Sequence, residues 1–337
     1  MKGWWRSNLP PSLKVMTIYT YKEYLQKYKD CQSIIQLWND EYQMIYPISV
    51  ELFQRNISNI CEEASYIVVS NQIVVGFIFS KIWDDEYQIE SYKDAGWISL
   101  FCIKKNFRNQ GIGSKLLDLV EQKMLEFGKK VLFLGKDYNN YFPGLPVDLK
   151  NGLGFFLKRG FERPYDTYDL MNVNKDYIPL RGNKYQFRFG TMKDKDDILS
   201  FIHSNWPGRW HKEAIDYFKN GGTGKEYLLC LDNEKVIGFA KVNFPDTEML
   251  LISNNLTWRN RFKALGGIGP LGIDKDYRKQ NLGFDIVAYA INSLNKVNAT
   301  NIIIDWTGLL DFYRLLGFEV WKSYFYLNKK LKGDNNA

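Results

Sequence analysis

Histidine is scarce, two in 337 residues, and the four cysteines (Cys31, Cys61, Cys102, Cys230) include no CxxC pair. That argues against a zinc site or a disulfide framework, and no metal is expected. Long apolar runs are missing as well. Trp97 to Ile103 is typical of the longest, far short of the ~18 residues of a membrane span. The opening MKGWWRSNLPPSLKV has charge but not the ~7 to 15 continuous apolar residues of a secretory signal. The chain therefore reads as cytoplasmic, with no membrane partner. Blocks of like charge are lacking too. Lys and Arg outnumber Asp and Glu 45 to 38, a net +7, yet no five like charges run together. A solvated surface or a phosphorylated small molecule accounts for that excess, and no nucleic-acid partner is expected.

What is present is an ordinary globular composition, 45% apolar and 25% charged, with 16% aromatics. At roughly 150 residues per domain the length implies two domains. A weak internal repeat says which two. Asn71 to Phe77 (NQIVVGF) is echoed by Asn233 to Phe239 (NEKVIGF), an offset of 162. Phe107 to Gly113 (FRNQGIG) is echoed by Tyr277 to Gly283 (YRKQNLG), an offset of 170. Phe156 to Phe161 (FLKRGF) is echoed by Tyr313 to Phe318 (YRLLGF), an offset of 157. The order holds while the spacing drifts, as length changes in surface loops produce. Two copies of one domain are expected.

Each copy reads alike. β-rich runs (Ser65 to Lys81; Tyr227 to Phe244) contain the turn dipeptides Ser-Asn and Asp-Asn, a hairpin signature. A short apolar strand follows (Trp97 to Ile103; Gly269 to Ile273), then a basic turn and a helix. Leu116, Leu117, Val120 and Met124 share one helix face; Ile286, Val287, Ala290, Ile291 and Leu294 share the other's. Then come a strand (Lys130 to Leu134; Asn301 to Asp305) and a short helix ending at Gly-Phe. Tyr185 to Arg188 and Asp194 to Ser204 open the second copy as strand and helix. This order gives an α/β (α+β) fold, each copy a mixed, mostly antiparallel sheet flanked by helices. The polar stretch Val173 to Arg181 is the natural linker, so the domains are expected at 1–172 and 181–332.

Arg108 to Gly113 lies between a strand and an amphipathic helix. Backbone N–H groups at a helix start are unpaired, and the helix dipole favours negative charge there. Glycine lets backbone approach a ligand closely, and Arg108 offers a fork of donors. The spacing excludes a Walker loop, and Asn109 stands where a dinucleotide fingerprint needs glycine. A plain Gly-rich turn or a phosphate cradle remains, and its reappearance in the second copy favours the cradle.

In these residues the sequence resembles the GNAT superfamily of acetyl-CoA-dependent N-acyltransferases, whose pyrophosphate motif is R/Q-x-x-G-x-G/A. The first copy matches it fully. The second departs at Asn281, the residue type that best replaces glycine in a left-handed backbone. The resemblance implies acetyl-CoA as co-substrate. Its contacts would be Phe101, Ile103, Arg108, Asn109, Gln110, Gly111, Ile112 and Gly113 in the first copy, and Leu271, Ile273, Arg278, Lys279, Gln280, Asn281, Leu282 and Gly283 in the second. Both turns are expected to bind it, the first more tightly because Gly111 has no Cβ. Gly269 to Ile273, Asn205 to Trp210, Ile304 to Gly308 and Asp311 to Phe318 further resemble tandem-GNAT bacterial glucosamine/glucosaminide N-acetyltransferases. They also resemble acetyltransferase halves fused to bacterial β-N-acetylglucosaminidases. Tyr141 to Pro146 (YFPGLP) belongs to the same pattern.

Acetylating an amine requires that the ammonium lose a proton, the thioester carbonyl be polarised and the thiolate be protonated. No covalent nucleophile is needed if both substrates are held together. In the resembling family a Tyr on the last helix protonates the thiolate, which implies Tyr313; otherwise Tyr313 is a core aromatic. The first copy has Phe156 there, so catalysis is expected in the second copy. Asp305 closes the preceding strand. Either it holds and deprotonates the acceptor amine, or it caps a helix beginning near Trp306. Trp206, Trp210, Trp306 and Trp321 surround the second-copy motifs, either as core or as platforms for the apolar faces of a sugar. Arg209 is a donor for a hydroxyl or carboxylate. The expected substrate set is Arg209, Trp210, Asp305 and Trp306; His203 and His211 read as surface groups. The expected acceptor is a small amino sugar, glucosamine or a glucosamine-ended oligosaccharide, in cell-wall recycling. An aminoglycoside, polyamine or protein amine is the enzymatic alternative, and a non-catalytic cofactor-binding module the other. The oligomeric state is not fixed by the sequence.

Overall fold

The computed structural model describes residues 16–149, 152–182, 184–246 and 257–332. The chain forms two compact units: Met1–Asp85 with Ser91–Tyr165 and Phe325–Ala337, and Glu86–Glu90 with Asp166–Tyr324. Its first half runs β1 (Met16–Thr20), α1 (Tyr21–Tyr28), α2 (Gln32–Tyr42), α3 (Val50–Ile57), β2 (Tyr66–Ser70), β3 (Ile73–Ile82), β4 (Ala95–Ile103), α4 (Ile112–Glu126), β5 (Val131–Leu134), β6 (Leu145–Pro146) and α5 (Gly152–Lys158). The second half runs β7 (Asp166–Asn172), β8 (Gln186–Phe189), α6 (Lys195–Asn205), α7 (Arg209–Lys219), β9 (Tyr227–Asp232), β10 (Lys235–Asn243), β11 (Leu265–Ile273), α8 (Leu282–Lys296), β12 (Asn301–Thr307), α9 (Leu310–Arg314), β13 (Glu319–Phe325) and β14 (Leu327–Lys330). No described helix is long and apolar enough to cross a membrane.

The first unit's sheet has the order β1-β2-β3-β4-β5-β14, and the second's includes β8-β9-β10-β11-β12-β7-β13. The β4–β5 and β11–β12 pairs are parallel; the other registered pairs are antiparallel. The expected fold class holds in both units. Asn71 and Gln72 in one hairpin, and Asn233 in the other, take the left-handed backbone that tight hairpin turns demand. The predicted faces of α4 and α8 lie against their sheets, with Leu116, Leu117, Val120, Met124, Ile286, Val287, Ala290, Ile291 and Leu294 fully buried. Each large aliphatic among them contributes about 1.5–3 kcal/mol by leaving water.

The repeat survives in register. Ala95 pairs with Val131 and Leu265 with Asn301, so the 170-residue offset holds from one parallel strand through turn and helix to the next. The echoed glycines have one reason. A Cβ on Gly76 would stand 2.6 Å from Ile103 Cδ1, and one on Gly238 would stand 2.5 Å from Ile273 Cδ1. Beyond Ile98 and Gly267 the parallel strands part, leaving Ser99 to Ile103 and Ile268 to Ile273 without that neighbour.

The boundaries expected at 172 and 181 need correction. β7 precedes that stretch yet belongs to the second unit, where Leu170 pairs with Ile304. β14, from the chain's end, belongs to the first unit, where Leu327 pairs with Leu134. Residues Val173 to Arg181 are not a linker between units. Ile178 N–H donates to Asn292 Oδ1 at 3.0 Å and Arg181 N–H to Asp285 Oδ1 at 2.7 Å, both inside the second unit. Their side chains face mostly outward, and composition reads a solvated strap as a spacer.

Candidate active site

The two turns share one backbone. Arg108 (φ −73°, ψ 162°) matches Arg278 (φ −70°, ψ 166°), and Asn109 (φ 60°) matches Lys279 (φ 64°). Gly111 (φ 79°, ψ −8°) matches Asn281 (φ 61°, ψ 5°), so Asn281 keeps the left-handed turn that glycine makes in the first unit. Each turn ends on the N-terminus of a fifteen-residue helix, with its unpaired N–H groups. Nothing lies within 4 Å of a Cβ placed on Gly111, so that face is open. Gln110, Ile112 and Leu282 complete the turns; the latter two are buried against the helices.

Arg108 lines the first unit's cavity and also ties the turn to its surroundings. Its Nε donates to Ile103 O at 2.8 Å, as Arg278 Nε does to Ile273 O at 3.2 Å, tying strand end to turn. Its Nη2 also meets Glu41 Oε2 at 2.5 Å, while Lys105 N–H donates to Glu41 Oε1 at 2.9 Å. Sequence could not show that acid, which arrives on α2. In the first unit a cavity of about 750 Å³ opens where β4 and β5 part, lined among others by Leu100, Phe101, Ile103, Gly111 and Phe156. The open edge of β4 suits the amides of a pantetheine arm, as an exposed strand edge suits a peptide, and the turn suits a pyrophosphate. The residues present fit acetyl-CoA.

In the second unit β12 continues through Thr307, and α9 starts only at Leu310 with Leu309 at its N-cap. Asp305 is thus a strand residue, and its capping role is ruled out. The β12–β7 register jumps between Ile304 and Thr307. Asp305 and Trp306 form a bulge, with Trp306 at φ 49°. Bulges re-aim side chains and gather at active sites. Asp305 Oδ1 lies 3.8 Å from where Gly269 would carry a Cβ, just past the last β11–β12 pair. Burial pushes its carboxyl up to about 7; the Asp169 charge adds to this, Arg209 opposes it and Glu213 adds a little. A carboxylate so tuned accepts a proton near neutrality.

Tyr313 is buried on α9. Burial, then the Asp305 charge, raise its phenol well above the ordinary value, so it stays protonated. No hydrogen bond of its hydroxyl occurs among the described residues, which leaves the proton available. Arg209 opens α7, donates from Nε to Glu213 Oε1 at 2.6 Å and sits 4.4 Å over the Trp306 ring. Asp305, Tyr313, Arg209 and Trp306 are therefore brought together. Trp210 packs instead with Trp206 and Phe239 in an aromatic cluster, and Trp321 with Trp258 and Phe262. His211 takes a contact of 2.7 Å from Tyr87 and one of 3.2 Å from His203.

At the matching places the first unit lacks this chemistry. The 170 offset puts Gly135 opposite Asp305, and Lys136 (φ 63°) opposite Trp306. Phe156 replaces Tyr313. The left-handed backbone is kept at Lys136 while carboxylate and phenol are gone. Asp169 and Glu213 are the charged neighbours that sequence reasoning missed. An acid inside the alternating strand DTYDLMN was the available signal for Asp169.

Parallel strands that part over a left-handed turn and helix N-terminus, built twice, define a duplicated α/β fold with one cradle per unit. The family described as the acetyltransferase (GNAT) family matches residues 31–142 and 195–318, and the chain belongs to that family. Its members use acetyl-CoA as co-substrate. Among solved structures the chain is similar to the GCN5-related glucosamine N-acetyltransferase region of a fungal multi-domain GH3 β-N-acetylglucosaminidase. That match has 21% identity and a TM-score of 0.79 over 96% of this chain, which spans 39% of the fungal chain. A tandem GNAT protein from the clavulanic acid biosynthesis pathway matches at 11% identity and TM-score 0.65, covering 95% of this chain and 99% of that one. A GCN5-related N-acetyltransferase from Sphaerobacter thermophilus matches at 12% identity and TM-score 0.61, covering 85% and 86%. No curated protein matches the chain.

Proposed function

We propose that the chain transfers an acetyl group from acetyl-CoA to the amino group of glucosamine and glucosamine-containing oligosaccharides, in cytoplasmic recycling of cell-wall amino sugars. The observation that carries this reading is the convergence of Asp305, Tyr313 and the Arg209–Trp306 pair at one bulge, with Gly135, Phe156 and Lys136 at the first unit's positions matching Asp305, Tyr313 and Trp306. The fold likeness to a fungal glucosamine N-acetyltransferase region supports the acceptor class. Acetyl-CoA supplies an activated acetyl carbonyl. Asp305 takes the proton from the acceptor ammonium, and the freed amine forms the N–C bond directly. As the C–S bond breaks, the new amide nitrogen sheds its remaining extra proton to solvent, and Tyr313 gives its proton to the thiolate and is reprotonated from solvent. Arg209 and Trp306 offer a donor beside an aromatic plane, the pairing that a sugar's hydroxyls and C–H face require. The first unit holds acetyl-CoA at its intact turn without turning it over.

Thiol release from acetyl-CoA tests this, with glucosamine, chitobiose-type amines, spermidine and peptides as competing acceptors. Glucosamine and its oligomers should exceed the others in kcat/KM by about tenfold or more, roughly 1.4 kcal/mol of transition-state preference. Faster release with spermidine or peptides would replace the amino-sugar reading, and no release with any amine would leave a binding module.

A further inference from the structure

Asp169 is buried on β7 at 2% exposure, and the chemistry above does not use it. Three donors converge on it. Trp306 N–H meets Oδ1 at 3.1 Å, while Trp258 Nε1 and the Tyr324 hydroxyl meet Oδ2 at 3.0 and 2.6 Å. A buried carboxylate is costly unless hydrogen-bonded or paired. Here no ion pair is found among the described residues; Lys322 is the cation whose charge it feels.

The fold does not require this acid. Leu170 pairs with Ile304 as Leu327 pairs with Leu134, so Tyr326 holds the matching place in the first unit. There Lys136 keeps the left-handed backbone at φ 63°, although Gly135 and Tyr326 stand where the second unit has its two carboxylates. Asp169 accompanies Asp305, not the sheet. Its contact falls on Trp306, a bulky residue held in the left-handed region, where strain commonly marks function.

We propose that Asp169 is a positioning residue, clamping the Trp306 N–H so that the bulge presents Asp305 to the acceptor, and holding a negative charge that strengthens Asp305 as a proton acceptor. This rests on the reading of Asp305 as the base. A buried carboxylate, Asp169, and a half-buried one, Asp305, that feel each other's charge do not ionise independently. Burial raises the Asp169 carboxyl above its ordinary range, and the three donors oppose that rise and favour the charged form, whereas the hydrogen bond at Asp305 comes from its own backbone N–H. The other groups facing Asp305 are Arg209 and Glu213 on α7 and Tyr313 on α9. Arg209 opposes the effect of Asp169, Glu213 adds to it, and Tyr313 is neutral. Facing Asp169 are Trp258, Trp306, and Tyr324 and Lys322 on β13.

The test is the pH profile of kcat in Asp169→Asn beside wild type, with one acceptor so that the amine's own titration cancels. Removing the charge should move the acidic limb down by about one pH unit and lower the plateau about tenfold, with KM little changed. Tyr324→Phe keeps the ring packing but loosens the charge on Asp169; it should shift the limb the same way by less, and it serves if Asp169→Asn does not fold. A limb unmoved in these variants, with only a lower melting temperature, would make Asp169 a buried structural acceptor and overturn the proposal. Asp305→Asn runs alongside. A near-native rate there removes the base and this proposal together, whereas an inactive Asp305→Asn with an unmoved limb in the Asp169 variant overturns this proposal alone.

Discussion

Asp305→Asn should lower turnover with glucosamine by about 10²-fold or more, the scale of losing a general base. The amide keeps the shape of the side chain but cannot take a proton. Because the Asp305 carboxyl is pushed up to about 7, wild-type kcat should climb as pH rises through about 7 and then level, and the Asn variant should lose that limb. Stability should move the other way. A carboxyl whose folded-state value lies above its unfolded one favours the fold below about pH 4, and that contribution is lost as pH rises to about 7. At pH 8 the ionised Asp305 is therefore a burden on the fold, and Asp305→Asn should melt at the same temperature as wild type or higher. A variant both stable and inactive separates chemistry from folding. If the rate were near native, the base would lie elsewhere.

Tyr313→Phe should cost about 10²-fold in kcat with little change in KM, since the phenol acts on the leaving thiolate and not on ground-state binding. The ring stays buried against Phe312 and Phe318, so the fold should hold. Phe156→Leu, at the matching place in the first unit, should leave turnover nearly unchanged. Equal losses in the two variants would contradict a single working half.

Much of the fold was legible because it is local and said twice. Hairpin dipeptides, helix faces and the Arg108 and Arg278 turns all lie within a few residues of sequence, and the repeat tied them in order. The two turns even keep matching dihedrals across the Gly111 and Asn281 difference. What escaped was long-range. β7 and β14 each belong to a unit that chain order does not suggest, so the boundary at 172 fell after the strand that carries Asp169. Asp305 read as a possible cap because a bulge at Trp306 looks, in sequence, like a strand end. The partners Ile103 O and Glu41 of Arg108 could not be read from sequence because they become its neighbours only on folding. Residue types singled out Asp305, Tyr313, Arg209 and Trp306, which packing places near one another, while Asp169 and Glu213 needed the packing to be seen.

The central claim is that acetyl transfer belongs to the second unit. It is tested most directly by thiol release with glucosamine in two matched variants, Gly113→Trp and Gly283→Trp. Both glycines are the second residue of the helix that follows a turn, and a Cβ at either meets only ring carbons, of Phe101 at 3.4 Å or Phe312 at 3.7 Å. The indole fills the cradle in each case. Gly283→Trp should abolish turnover, and Gly113→Trp should retain most of it. Turnover lost at Gly113 and kept at Gly283 would place the chemistry in the first unit and contradict the account.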